Sequence, residues 1–154
     1  MRILLTREQW SMSRIAIAVL AMAGIGIMAY LTYLHYANAR SFCDLSQEVS
    51  CDVVTTSLYS EIFGIPISIG GLAYFLLILF LAASNVPNAF QLIFALTLFM
   101  LIPSLFLSFL EVFVIKSICI LCETSKALMA GIFAISIFKL RIPVAKLARL
   151  AAPI

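Results

Sequence analysis

Charge is scarce in this sequence: ten basic and seven acidic residues in 154, or 11%. A soluble domain of that length needs a polar shell, and these side chains are too few to make one. The net charge of +3 is small, and the basic residues sit mostly at the two ends, so the pattern is not a nucleic-acid footprint. A single histidine, His35, leaves no second imidazole to build a metal site with cysteines. There is no internal repeat and no low-complexity tract. No polar stretch is long enough to be a soluble domain, so any soluble partner is expected to act in trans.

What the chain has is apolar surface. It is 64% hydrophobic, with a mean hydropathy of +1.17. That composition makes it an integral membrane protein, read as one membrane domain over residues 1–154 that contacts lipid along its length. Four apolar runs, at about 15–36, 67–83, 89–110 and 118–138, predict a bundle of four transmembrane helices. Ala37-Asn38-Ala39 resembles a signal-peptide cleavage site, but the first run exceeds the usual apolar core of about 7–15 residues, so a retained helix is expected. Gly70 and Gly71 would let a helix or ligand approach the second span. A polar turn at 84–88 leads to the third. Pro103 should kink that span, with Ser104 and Ser108 near enough to bond freed backbone groups.

Residues 37–65 form the only sizeable polar stretch. From Cys51, the positions Cys51, Val54, Leu58 and Ile62 recur at helical spacing, which predicts a short amphipathic helix over about 51–63 lying on the membrane as a lid. Gly64 would cap its end and Pro66 stop it. Residues 111–117 read as a short return loop. Arg2, Arg7 and Arg14 precede the first span, and Lys139, Arg141, Lys146 and Arg149 follow the last, whereas the two cysteine-bearing loops hold only Arg40 and Lys116. The positive-inside rule therefore expects both termini in the cytoplasm and all four cysteines, Cys43, Cys51, Cys119 and Cys122, on the outer side.

The CxxC at Cys119 and Cys122 opens the fourth span. In a helix its sulfurs share one face. With Ser117 as cap, Cys119 falls in the first turn, where the helix dipole and Lys116 favour a thiolate. Three readings stand. Two structural disulfides fit Cys43 with Cys51 tolerably, but a CxxC disulfide closes too small a loop to constrain the unfolded chain much. A four-thiolate zinc site needs tighter spacing than the seven residues between Cys43 and Cys51. A relay of two dithiol pairs remains, in which a surface pair on a mobile loop exchanges disulfides with a soluble protein and a buried pair passes two electrons into the membrane. Cys51 is the better placed to reach the CxxC, and Cys43 would meet the outside partner. A two-electron acceptor dissolved in lipid suggests a quinone.

Cys43 with Cys51, Thr56-Ser57, Gly64-Ile65-Pro66, Gly71-Leu72-Ala73-Tyr74-Phe75 and Cys119-Ile120-Leu121-Cys122, in that order, resemble the vitamin K epoxide reductase family over about residues 15–138. The likeness is to a prokaryotic, DsbB-like member. It implies oxidation of a periplasmic thioredoxin-fold, DsbA-type protein and reduction of ubiquinone or menaquinone, in the cell's inner membrane. A fused thioredoxin domain, which some members carry, has no room here. By resemblance Cys122 faces the quinone ring, Cys119 accepts attack, Cys51 is the shuttle that attacks it, and Cys43 exchanges with the partner. Ser57 matches a hydroxyl position near the active site. Lys126 stands where vertebrate members have a substrate-binding aromatic hydroxyl, a departure that weighs against epoxide reduction.

Other candidates are weaker. Glu123 and Lys126 lie three apart on one helix face, either a local ion pair or a proton source for the quinone. His35 ends the first span and could bond a quinone carbonyl, though an interfacial ring with a wet edge explains it as well. Tyr74, Phe75, Phe106, Phe109 and Phe113 could wall a flat ring, or face lipid. Glu111 and Lys116 read as solvated loop charges. The expectation is an all-α membrane thiol:quinone oxidoreductase. Its rivals are a quinone-epoxide reductase and a non-enzymatic tetraspan scaffold stapled by disulfides.

Overall fold

A computed structural model describes the backbone of residues 2–151 except 38, 47, 58, 63, 85 and 87; side chains are described for 12–140, without those six positions and without 62. Leu58 of the expected lid stripe, Asn38, and the side chains of Ile62, Arg2, Arg7, Arg141, Lys146 and Arg149 therefore lie outside the described residues. The chain runs α1 (Arg2–Ala37), α2 (Cys51–Thr55), a two-stranded antiparallel hairpin of β1 (Glu61–Ile62) and β2 (Ile65–Pro66), α3 (Ile67–Ala83), α4 (Ala89–Leu110) and α5 (Ile120–Ala151). Among the described residues, three stretches are long and apolar enough to cross a membrane: Met12–Ala37, Ala89–Ile115 and Ile120–Leu140. The fourth, α3, has 17 residues, about 25 Å at 1.5 Å per residue, slightly short of a full span.

Helix α1 packs along α3 and, less closely, α5; α4 packs along α5, whereas α3 and α4 barely touch. Two glycines bring α1 and α3 together. A Cβ on Gly24 would run into the Phe75 ring, and one on Gly71 would come within 2.7 Å of Met28 Sδ. The main core, including Ile17, Ala21, Tyr74, Phe75, Ile78, Ile93 and Ile132, fills the bundle between them. Close packing of small residues is what membrane helices use, since lipid supplies no hydrophobic drive between them. Gly70 meets nothing and is free of that role.

The chain departs from its sequence pattern in four places. The lid helix stops at Thr55 instead of continuing to 63. Thr55, Thr56, Ser57 and Ser60 each donate a hydroxyl to a local backbone carbonyl, from Cys51 O to Ser57 O, and so satisfy groups a longer helix would have used. β-branched Val53, Val54, Thr55 and Thr56 lower the helix propensity further. Gly64, at φ 77°, serves the connection of a hairpin with two residues a side and caps no helix, while the architecture stays the expected helical membrane bundle. Residues Glu111–Ile115 are a π-helical turn prolonging α4, and the return is made at Lys116 with φ 56°. The first helix also starts well before Ile15.

The serines beside Pro103 do not repair it: Ser104 Oγ has no partner among the described residues, and Ser108 Oγ donates to Glu123 at 2.9 Å. Packing at Gly24 makes a direct prediction. Gly24→Ala should cost about 1–3 kcal/mol by forcing Phe75 aside, while Gly26→Ala, which meets open space, should melt like the parent in detergent. Equal melting of both variants would contradict the close α1–α3 approach.

Candidate functional site

The polar loop is folded back on the bundle by its own residues. Ser50 caps α2 by accepting the Val53 N–H at 3.2 Å. Asp52 accepts the Ser41 N–H through both carboxylate oxygens, at 3.0 and 3.2 Å. Cys43 and Cys51 are joined in a disulfide. Ser41 Oγ lies 3.2 Å from Cys43 Sγ, and with no thiol hydrogen left on that sulfur the hydroxyl is the donor. The expected surface pair is in fact buried: Cys43 is 3% exposed and Cys51 fully covered. Phe42 and Leu45, each 71% exposed, flank Cys43 instead.

This loop is stitched to the head of α5. The Ile118 N–H donates to Glu48 O at 2.9 Å, and Ser117 Oγ to Ser50 O at 3.5 Å. Ser117 is therefore not the helix cap. Cys119 is: it sits just before Ile120, and its sulfur accepts the Cys122 N–H at 3.2 Å. A hydrogen bond from the Cys122 thiol, aided by the N–H groups of Cys122 and Leu121 against the opposing effect of burial, holds the Cys119 thiol below its ordinary range. Cys43, Cys51 and Cys119 share one buried cluster with Leu31, Leu34 and Val54, and Cys122 packs against it. All four cysteines thus gather at one end of the bundle.

Beneath them, between the bundle helices, lies a cavity of about 480 Å³. Cys122 is in its wall; Cys119, Cys51 and Cys43 are not. Ser57, Tyr74, Lys126 and His35, the four residues expected near a quinone, all line it. Their hydrogens, however, are committed inside the protein. Ser57 Oγ donates to Val54 O at 2.8 Å. Thr97 gives its hydroxyl hydrogen to Ile93 O, so Tyr74 is the donor in their 2.9 Å contact. His35 places Nδ1 3.1 Å from Thr55 O and Nε2 3.1 Å from Glu61. Lys126 spends all three ammonium hydrogens on Ser108, Glu123 and Glu111, at 2.6, 2.7 and 3.3 Å. Phe75 is sealed under Gly24, and Phe106, Phe109 and Phe113 are exposed on the outside of the bundle.

Glu111 is the residue the sequence reading misplaced. It is 3% exposed, not solvated. Its carboxylate takes Lys126 on one oxygen and, at 3.4 Å, the Cys119 N–H on the other, while its carbonyl accepts the Ser117 N–H. The pair expected at Glu123 and Lys126 is present at 2.7 Å, but as one side of this larger, partly buried network. A signal for it was in the sequence. Thr97, Ser104, Ser108 and Glu111 follow one another at steps of seven, four and three, a polar stripe on one face of an apolar helix. Lys116 is exposed, as expected.

A family model described as "Vitamin K epoxide reductase family" matches residues 15–137 of the 154. The match covers every element of the site, from α1 through both cysteine couples to the first turns of α5.

The capping geometry gives a titration test. With Cys43 and Cys51 left as a disulfide, ultraviolet thiolate absorbance should first rise at a pH below the ordinary cysteine value of about 8.5. In Cys122→Ala, which removes the principal bond to the Cys119 sulfur, the midpoint should move to higher pH. A midpoint that stays put would rule out Cys122 as the cause.

Proposed function

The chain belongs to the vitamin K epoxide reductase family, and on that premise we propose that it oxidises a periplasmic thioredoxin-fold, DsbA-type dithiol and reduces ubiquinone or menaquinone. Family membership makes it a multi-pass membrane oxidoreductase linked to quinones; the partner, the direction and the thiol-first route are our reading. One observation carries it: four cysteines meet at one end of the bundle, and of these Cys122 alone lines the apolar cavity. The counts of basic residues support placing both termini in the cytoplasm and this end in the periplasm.

A quinone ring fits the residues present. The cavity falls within the range of about 300–1,000 Å³ usual for small-molecule sites, its walls are mainly apolar, and Ser104 Oγ in the wall has no partner among the described residues. Bound there, a quinone would supply an acceptor for two electrons and two protons. Cys122, Tyr74, Met100 and Met129 would hold the ring, and the wall would keep bulk water from the reacting sulfur.

The residues act in sequence. A partner thiolate attacks Cys43, breaking Cys43–Cys51 and releasing Cys51 as a thiolate. Cys51 attacks the sulfur of Cys119 in an oxidised Cys119–Cys122 couple, releasing Cys122 as a thiolate facing the cavity. The second partner thiol resolves its mixed disulfide with Cys43. Cys43 then resolves the Cys51–Cys119 bond, which restores Cys43–Cys51 and leaves a reduced CxxC. The hydrogen bonds from the N–H groups at the head of α5 stabilise Cys119 as a thiolate in that state. Because Cys43 is buried, the first attack requires the loop to open locally, and the exposed Phe42 and Leu45 mark where a partner would press on it.

Purified protein mixed with a reduced DsbA-type protein and ubiquinone or menaquinone should consume quinone in step with partner oxidation. Cys122→Ala should abolish quinone loss, and Cys119→Ala should leave the partner reduced. If the wild type leaves the partner reduced and Cys119→Ala only lowers stability, the cysteines are structural staples, and faster turnover of a quinone epoxide than of the quinone would make epoxide the acceptor.

A further inference from the structure

Reduction of a CxxC disulfide takes up protons as well as electrons, and the site holds one buried group that the thiol relay leaves unused. Glu111 is covered, bonded to the Cys119 backbone, and also in the cavity wall with Cys122 and Lys126. It therefore touches both the sulfur couple and the space where an acceptor would sit. It also lies at the start of a π-helical turn, a distortion that recurs at functional positions.

The charge count around it is uneven. Facing Glu111 among the described residues are Lys126, Glu123 and the two thiols. One ammonium serves two carboxylates, and Glu123 takes it at 2.7 Å against 3.3 Å for Glu111. Glu123 is also 43% exposed, so water can solvate its charge; Glu111 at 4% side-chain exposure has no such help. A thiolate formed at Cys119 adds a further negative charge beside it. In a poorly solvated site, like charges at this range do not stay ionised together.

We propose that Glu111 takes up a proton when the Cys119–Cys122 couple is reduced and gives it to the acceptor when the couple is reoxidised. The reduction balances as follows. Cys43 and Cys51 thiols, the Cys119–Cys122 disulfide and the Glu111 carboxylate become the Cys43–Cys51 disulfide, a Cys119 thiolate, a Cys122 thiol and the Glu111 carboxylic acid. Two protons and one negative charge stand on each side. In the reverse half, two electrons leave the sulfurs as their disulfide forms, and the two protons leave from the Cys122 thiol and from Glu111, to an acceptor of the quinone class. Lys126 is a positioning residue in this scheme, because its three donors are all engaged. The destination of the proton rests on the quinone reading above; its uptake at Glu111 does not.

The test uses full-length protein without quinone. The potential of the Cys119–Cys122 couple is measured against pH in the wild type and in Glu111→Gln, which keeps the size and an acceptor for the Cys119 N–H. In the neutral range the wild type should show the slope of two protons per two electrons, and Glu111→Gln the slope of one. A two-proton slope in the variant overturns the proposal. Difference infrared spectra of the wild type alone should show a protonated-carboxyl band appearing on reduction, and its absence overturns the proposal without recourse to a mutant. With quinone and partner added, Glu111→Gln should turn over about a hundredfold more slowly at neutral pH and recover as pH falls. If the wild type never reduces quinone while the slopes differ as stated, the proton site stands and the acceptor assignment fails.

Discussion

The head of α5 is a helix start buried among apolar side chains, and its backbone N–H groups must find acceptors there. Four of them have acceptors brought by the packing or by the couple itself. Glu48 O takes the Ile118 N–H, Glu111 takes those of Ser117 and Cys119, and the Cys119 sulfur takes that of Cys122. Most of the site follows from this requirement. The Glu48 contact pulls the polar loop onto the bundle, which carries Cys51 to the CxxC. The Glu111 contacts draw a carboxylate inward to the base of the couple. The Cys119 sulfur is held as an acceptor chiefly by the Cys122 thiol, and its place as the cap adds to this, since an anionic acceptor suits a helix N-terminus.

The same junction divides the two sulfur couples by environment. Cys43 and Cys51 sit under a loop whose short helix, hydroxyl-bonded turns and hairpin are held by local bonds, a construction that can open without disturbing the bundle. Cys119 and Cys122 sit on α5, braced by α4 and its π-helical extension. The disulfide-exchange relay proposed above would need one couple that can move and one that is fixed, and the fold puts a locally bonded loop and a braced helix on opposite sides of a single seam. The cavity, walled by α1, α3, α4 and α5, meets the fixed side at Cys122.

Much of the fold was legible because lipid imposes a coarse rule. Apolar runs of sufficient length must be helices, so four of them could be counted and ordered, although the first and last helices run on past the apolar stretch. The polar loop was less legible. Its helical stripe was real over Cys51–Thr55, but side-chain hydroxyls competed for the backbone beyond Thr55 and ended the helix there. Glu111 was misplaced for a similar reason: a charged residue beside a predicted loop reads as solvated, and nothing local reveals that the helix continues through a π turn and tucks the carboxylate inside.

The sequence alone determined the class, the number of apolar helices, the identity of the four cysteines and their gathering at one end, because hydropathy and CxxC spacing are properties of residue order. Only the tertiary structure decided which groups answer the orphan amides of α5, which donors around the cavity are already spent, and that Glu111 shares Lys126 with Glu123. Those are facts about partners distant along the chain, and hydrogen-bond satisfaction in a dry interior is settled by which groups the packing brings within about 3 Å of one another.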